Sequence, residues 1–195
     1  MKSRLQSLVI LTITDPAQAA QMLLASRFSR HVLWNALALA VVLNALIYSA
    51  QEMLFPLPTD IVIPRLPALA YFFVMLGLQI IFVHVLKIAG KWLGGQGGLH
   101  DILVLVVWLQ LLQVLVQVVM TVLFVFTPVF AGLLNLAIML FSIYILANFI
   151  NEAHQLKSVW RAFGVLLMAS AIIALALSFL LGLAGPSLLG SSANV

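Results

Sequence analysis

The chain lacks cysteine altogether and has very few charged residues. Only 7% of its 195 residues are Asp, Glu, Lys or Arg, against roughly 25% in an ordinary soluble domain. The absence of cysteine excludes disulfides, thiolate nucleophiles, iron–sulfur clusters and cysteine-ligated zinc sites. Apolar residues make up 65% of the chain, and the mean hydropathy is +1.23. Such a chain cannot cover a water-facing surface with polar side chains, so a soluble enzyme is excluded.

Five apolar runs are long enough to cross a bilayer, which takes about 20 helical residues. Four prolines between 56 and 67 and the Gly-Gly-Gln-Gly-Gly segment at 94–98 bound the second run. A single helix over 101–150 would be about 75 Å long, so we predict a tight helical hairpin at Thr127-Pro128. The sequence therefore predicts an all-α, polytopic membrane protein, whose bundle of five transmembrane helices occupies about 31–50, 67–90, 101–126, 128–150 and 161–184.

The first thirty residues are predicted to form a cytoplasmic segment with a short interfacial helix over about 16–29. Two basic residues before an apolar run imitate a signal peptide, but Asp15-Pro16 interrupts that run ahead of the would-be cleavage site. Asp15 is instead a good N-cap, and Pro16 suits the first helical turn. Packing of this helix on the cytoplasmic ends of the spans is an equally good alternative to an interfacial position.

The basic residues are distributed very unevenly among the predicted loops. With five spans, eight of the nine fall on the side of the N-terminus, and only Arg65 falls on the other. Cytoplasmic loops are enriched in Lys and Arg, so we expect a cytoplasmic N-terminus and a non-cytoplasmic tail at 185–195. The cations form no continuous stripe, so no nucleic-acid binding is expected. The eight are Lys2, Arg4, Arg27, Arg30, Lys87, Lys91, Lys157 and Arg161.

Amide and phenol side chains inside the spans are the candidate intramembrane polar network. Gln110, Gln113 and Gln117 lie at i, i+3 and i+7, on one face that we expect to look inward. A turn at Thr127 would place Gln117 level with Asn135, and Gln110 level with Tyr144. The functional interpretation is a polar pathway or groove, and the favoured alternative is interhelical hydrogen bonding, worth about 0.6–2 kcal/mol per contact. The candidates are Gln110, Gln113, Gln117, Asn135, Tyr144, Asn148 and Asn151.

Further candidates lie at the predicted cytoplasmic face. Glu152-Ala153-His154 is a conceivable fragment of a metal site, but the four histidines lack the i, i+4 spacing of a zinc-binding helix. The serines of the fifth span have no nearby His or acid. We therefore predict no metal, cofactor or catalytic residue, and we interpret the glycine-rich segment at 94–98 as a hinge. The candidates at this face are His84, Lys91, Glu152 and His154.

The segment Lys91-Trp-Leu-Gly-Gly-Gln-Gly-Gly-Leu-His-Asp-Ile-Leu, between the second and third of five spans, resembles the Yip1 family. The Asp-Pro start at 15–16 fits as well, and the resemblance to the short bacterial members covers nearly the whole chain. It implies a bacterial inner-membrane protein without catalytic residues. Eukaryotic relatives have a longer cytosolic N-terminal region and associate with Rab GTPases. With only about thirty residues before the first span, this chain is not expected to bind a Rab-type GTPase.

The leading hypothesis is a non-enzymatic scaffold or accessory factor that contacts membrane lipids and other membrane proteins or itself. The alternative is a small permease or channel protomer with a Gln/Asn-lined pathway. An intramembrane enzyme would require a nucleophile or metal site, and the sequence offers neither.

Overall fold

The computed structural model of the chain describes residues 2–55 and 66–189. Its described part contains seven α-helices, of which the first two are short. The loop residues 56–65 and the predicted tail beyond 189 lie outside the described residues. The helices are α1 (Lys2–Thr14), α2 (Pro16–Leu24), α3 (Arg30–Leu54), α4 (Ala68–Trp92), α5 (Leu99–Phe126), α6 (Pro128–His154) and α7 (Val159–Leu189).

The helices α3 to α7 are each long and apolar enough to cross a membrane. Their membrane-spanning portions contain 22 to 28 residues, which corresponds to about 33–42 Å of helix for a hydrocarbon core of about 30 Å. The prediction of an all-α bundle with five transmembrane helices is confirmed. The observed helices extend most of the predicted spans by one to four residues at their ends.

A single non-helical residue, Thr127, separates α5 from α6. Its non-helical backbone, with φ −144°, breaks the helix, and its Oγ1 donates a hydrogen bond to the Leu123 carbonyl at 3.2 Å. Pro128 then opens α6 at a position where a missing N–H costs nothing. The chain thus reverses at the predicted Thr127-Pro128 site, and α5 packs against α6.

We expect the double substitution Thr127→Leu and Pro128→Leu to weaken this reversal, because it removes both the proline and the polar cap. Reporter fusions after Lys157 measure the effect, and we expect a mixed population on the two sides of the membrane. The single variant Thr127→Ser, which keeps the hydroxyl, is the matched control and should retain the wild-type topology. An unchanged topology in the double variant would mean that packing of α5 on α6 fixes the turn.

The N-terminal region differs from the sequence prediction in two respects. Residues 2–14, for which no helix was predicted, form α1, and α2 ends at Leu24 rather than near Ser29. Asp15 caps α2 as predicted, since its carboxylate accepts the Gln18 N–H at 3.0 Å. The helix cannot continue to Ser29 because that residue is itself the extended N-cap of α3.

Tertiary contacts explain why α1 and α2 adopt these positions. Trp108 Nε1, on α5, donates to Thr12 Oγ1 at 3.0 Å and thereby fixes the end of α1. Ala19, Ala20 and Leu23 of α2 are buried in a core shared with α5 and α6. The buried face of α2 therefore packs on the ends of the spans, which was the alternative to an interfacial position.

The core is concentrated at one end of the bundle, where α2, the α4–α5 loop and the α6–α7 turn meet; we call this the α2 end. In α5 all six residues from Ile102 to Val107 are buried, whereas Val114 is the only buried residue described in the rest of that helix. At the opposite end, most apolar side chains of α5, α6 and α7 are exposed on the protein surface. Tight packing is therefore a property of the α2 end.

Candidate functional site

The glycine-rich segment at 94–98 begins by closing the C-terminus of α4. Gly94 adopts φ +85°, a left-handed conformation that favours glycine. The Gly95 N–H donates to the Gly90 carbonyl at 2.8 Å, and the Gly94 N–H donates to the Lys91 carbonyl at 3.0 Å. This pair of bonds is the Schellman arrangement, which satisfies helix carbonyls that would otherwise lack partners.

The same segment leads into the N-terminus of α5. Between α4 and α5, its backbone is hydrogen-bonded to His154. The Asp101 carboxylate accepts the Gly98 N–H at 2.9 Å and caps α5. The Gln96 N–H donates to the backbone carbonyl of His154 at 2.9 Å, and the Gly97 N–H donates to its Nδ1 at 3.2 Å. One residue of α6 therefore accepts two successive backbone donors of the loop.

Three glycines enclose the imidazole of His154, which is 0% exposed. A Cβ on Gly90 would overlap the ring, and one on Gly95 or Gly97 would lie within 2.8 Å of it. Since such distances are too short for any real Cβ, these positions require glycine for close packing. The sequence interpretation of the segment as a hinge did not foresee this contact. We refer to His154 with Gly90, Gly95 and Gly97 as the His154 cluster.

The bonding of the ring also defines its protonation pattern. Because Nδ1 accepts the Gly97 N–H, the neutral imidazole carries its proton on Nε2. Nε2 is itself buried and has no hydrogen-bond partner among the described residues. Among the described residues, the imidazole is therefore buried and bonded to the loop backbone.

Two polar residues next to His154 join α6 to its neighbours. Glu152 Oε2 accepts a hydrogen bond from Gln21 Nε2 of α2 at 3.0 Å. Asn151 Oδ1 accepts the Ser158 N–H at 2.9 Å, just ahead of α7. Asn148, although buried, donates to the Tyr144 carbonyl of its own helix. The end of α6 is thus the point at which α2, the α4–α5 loop and the start of α7 are tied together.

His84 and Lys91, the other two candidates at the predicted cytoplasmic face, lie outside the His154 cluster. His84 is exposed, its Nδ1 donates a hydrogen bond to the Ile80 carbonyl at 2.7 Å, and its ring stacks with Trp34 at a ring separation of 6.4 Å. Lys91 is exposed at the end of α4. Among the residues that the structure describes, no group of three or more His, Cys, Asp or Glu is placed to hold a metal ion.

The predicted glutamine face is only partly turned inward. Gln110 and Gln117 are half-buried, whereas Gln113 is exposed, as are Asn135 and Tyr144 on α6. Within residues 2–55 and 66–189, no hydrogen bond joins Gln117 to Asn135 or Gln110 to Tyr144. The structure therefore does not connect these side chains into a network, and a role for them as a site stays a prediction.

A polar contact between α3 and α5 was missed from the sequence. Gln51 Nε2 donates to Thr121 Oγ1 at 2.6 Å, and that hydroxyl donates to the Gln117 carbonyl at 2.7 Å. Phe55 packs edge-on against Phe124 one turn further along. Gln51 lies just beyond the predicted end of the first span at 50, and nothing in the sequence pairs it with a residue 70 positions away.

These placements give opposite expectations for two amides. Gln51→Leu should lower the free energy of unfolding by about 0.6–2 kcal/mol, because it breaks an interhelical hydrogen bond. Gln113→Leu should be neutral or slightly stabilising, because its amide is exposed on an apolar surface and has no partner among the described residues. Thermal unfolding in detergent, followed by circular dichroism, compares the two. Equal losses of stability in the two variants would contradict the interhelical hydrogen bond of Gln51 and the unpaired state of Gln113 among the described residues.

Comparison with known proteins gives one family match. The model of the Yip1 domain matches residues 10–181, from the middle of α1 into α7. The chain belongs to the Yip1 family. No curated protein and no solved structure matches it. As a Yip1 family member with five helices able to span a membrane, it is an integral, multi-pass membrane protein. The match includes all of the His154 cluster, so the cluster is part of the Yip1 domain of this chain.

Proposed function

We propose that this protein is a non-enzymatic membrane scaffold or accessory factor that acts through contacts with other membrane proteins. The observation that carries the proposal is the burial of His154. The side chain best suited to acid–base chemistry at the α2 end is sealed among three glycines and used to hold a loop. A surface fixed in this way suits the binding of a partner, because little loop entropy is lost when a partner binds to it.

We further propose that the α2 end faces the cytoplasm and that the membrane is a bacterial inner membrane. Eight of the nine basic residues fall on the same side of the five predicted spans as the N-terminus. Cytoplasmic loops of membrane proteins carry an excess of Lys and Arg. The surface formed around the α4–α5 loop is then available to cytoplasmic segments of a neighbouring membrane protein.

Affinity purification in mild detergent, with quantitative mass spectrometry of the co-purifying proteins, tests the scaffold role. We expect a reproducible stoichiometric membrane partner. The variant Gly97→Ala, in which the new Cβ meets the Ala153 carbonyl, should lose that partner. Gly132→Ala, whose Cβ meets nothing within 4 Å, is the matched control and should keep it. Recovery of the protein alone from all three preparations would contradict the proposal.

The alternative of a permease or channel protomer makes a different prediction about water access. The exposed amides of Gln113 and Asn135 would line an aqueous pathway only between copies of the chain. Cysteines placed singly at 110, 113 and 117 should stay inert to a membrane-impermeant thiol reagent in vesicles of both orientations. A cysteine at the exposed Lys157 is the positive control. Labelling at 113 or 117 would support the permease instead.

A further inference from the structure

The adjoining ends of α4 and α7 carry an exposed group of basic and aromatic side chains. Trp92 is 70% exposed and Trp160 is 84% exposed, unusually high fractions for such large apolar rings. Lys91, Lys157 and Arg161 are exposed beside them in the sequence. We call these five residues the α4–α7 corner.

The corner is continuous because the two helix ends are in contact. The Leu93 Cδ1 atom lies 3.5 Å from the position of a Cβ on Gly164, one helical turn after Trp160. The helices α4 and α7 also pack along their length. Lys91-Trp92 and Trp160-Arg161 therefore lie on helix ends that contact each other.

The positive charge of the corner is not neutralised by the described part of the protein. The Asp101 carboxylate caps α5 at Gly98, and Glu152 accepts hydrogen bonds from Gln21 and Asn151. Within residues 2–55 and 66–189, no carboxylate lies within ion-pair distance of Lys91, Lys157 or Arg161. Three exposed cations thus share one corner without an acidic partner there.

We propose that the α4–α7 corner binds the headgroup phosphate of an anionic phospholipid. Indole rings prefer the level of the headgroups at a membrane surface, and the corner lies where two spanning helices leave the apolar region. Cations at such a level attract anionic lipids, by roughly fivefold in affinity for each Lys or Arg. This binding is distinct from the scaffold role and does not depend on it.

Quenching of tryptophan fluorescence by brominated lipids tests the proposal on the full chain in bilayers. The signal of the two corner indoles is the tryptophan quenching of the wild-type chain minus that of a variant with Trp92→Phe and Trp160→Phe, so Trp108 keeps its bond to Thr12. Brominated phosphatidylglycerol should quench them at a several-fold lower mole fraction than brominated phosphatidylcholine. Equal quenching by the two lipids would overturn the proposal.

Two triple variants, measured in the same way, separate a specific site from a general charge effect. Lys91→Gln, Lys157→Gln and Arg161→Gln together should abolish the preference for phosphatidylglycerol. Arg27→Gln, Arg30→Gln and Lys87→Gln together remove the same charge from the segment before α3, the first residue of α3 and the turn of α4 that precedes Lys91, and this variant should retain the preference. A loss of the preference in both variants would also overturn the proposal. The double variant Lys91→Arg and Lys157→Arg keeps the charge and should keep the preference for phosphatidylglycerol. Loss of the preference in this variant would exclude binding of the headgroup by charge.

Competition distinguishes the lipid from other anions. Soluble glycerophosphate and an acidic peptide should leave the quenching by brominated phosphatidylglycerol unchanged, because neither places a headgroup at the level of the indoles. Displacement of the lipid by the peptide would assign the corner to an acidic protein partner instead.

Discussion

Replacing Gly90 by alanine should disrupt the α2 end, whereas the same change at Gly77, in the same helix, should be tolerated. A Cβ at Gly90 would overlap the imidazole of His154, and that ring has no free space around it. Overpacking of this kind costs about 1–3 kcal/mol, and more where neither group can move. At Gly77 a Cβ meets nothing within 4 Å, and alanine should stabilise the helix by about 0.5–1 kcal/mol.

Thermal unfolding of the purified variants in one detergent, followed by circular dichroism, measures the difference. We expect the two alanine variants to shift the midpoint in opposite directions. Adding His154→Ala to Gly90→Ala removes the overlapping ring, so the double variant should be more stable than the sum of the two single effects indicates. Equal midpoints for the Gly90→Ala and Gly77→Ala variants would contradict the close packing described here.

Replacing His154 by alanine is the second change for which we expect a large effect. It leaves the Gly97 N–H buried without its acceptor and opens a cavity among the three glycines. Together these losses should lower the free energy of unfolding by about 2–5 kcal/mol. His84→Ala removes an exposed ring that stacks on Trp34, and its cost should stay below about 1 kcal/mol.

Limited proteolysis reports whether the loss is local to the loop. The His154→Ala variant should be cut within 94–98 far faster than the wild type, because the loop then keeps only one of its two bonds to α6. Gln96→Ala is the matched control, since the loop bond there comes from the backbone N–H and survives the change. Equal cleavage of His154→Ala and the wild type would show that the imidazole does not hold the loop.

The five spanning helices could be predicted from the sequence because the bilayer imposes a length and a hydropathy on each of them. The turn at Thr127 followed from the same constraint, combined with the one proline in the stretch. Asp15 and Pro16 likewise gave a correct start for α2, since capping is decided by neighbours in the chain.

Contacts between distant parts of the chain could not be predicted. The glycines at 94–98 indicated flexibility, and the histidine that fixes them lies 57 residues from Gly97. Helix α1 is marginal on its own and depends on Trp108, which lies 96 residues beyond Thr12. The periodicity of Gln110, Gln113 and Gln117 identified one helix face, but not how much of that face a neighbouring helix would cover.

The convergence of contacts on the end of α6 has a consequence for biosynthesis. Gln21 and its partner Glu152 are separated by 131 residues. The backbone N–H groups of Gln96 and Gly97 likewise have their acceptors on His154, later in the chain. Until the ribosome has delivered α6, neither α2 nor the α4–α5 loop has its final partner. Four spans must therefore be inserted before the α2 end closes, and a chain truncated before residue 154 should leave it open to the proteases that clear unfinished membrane proteins.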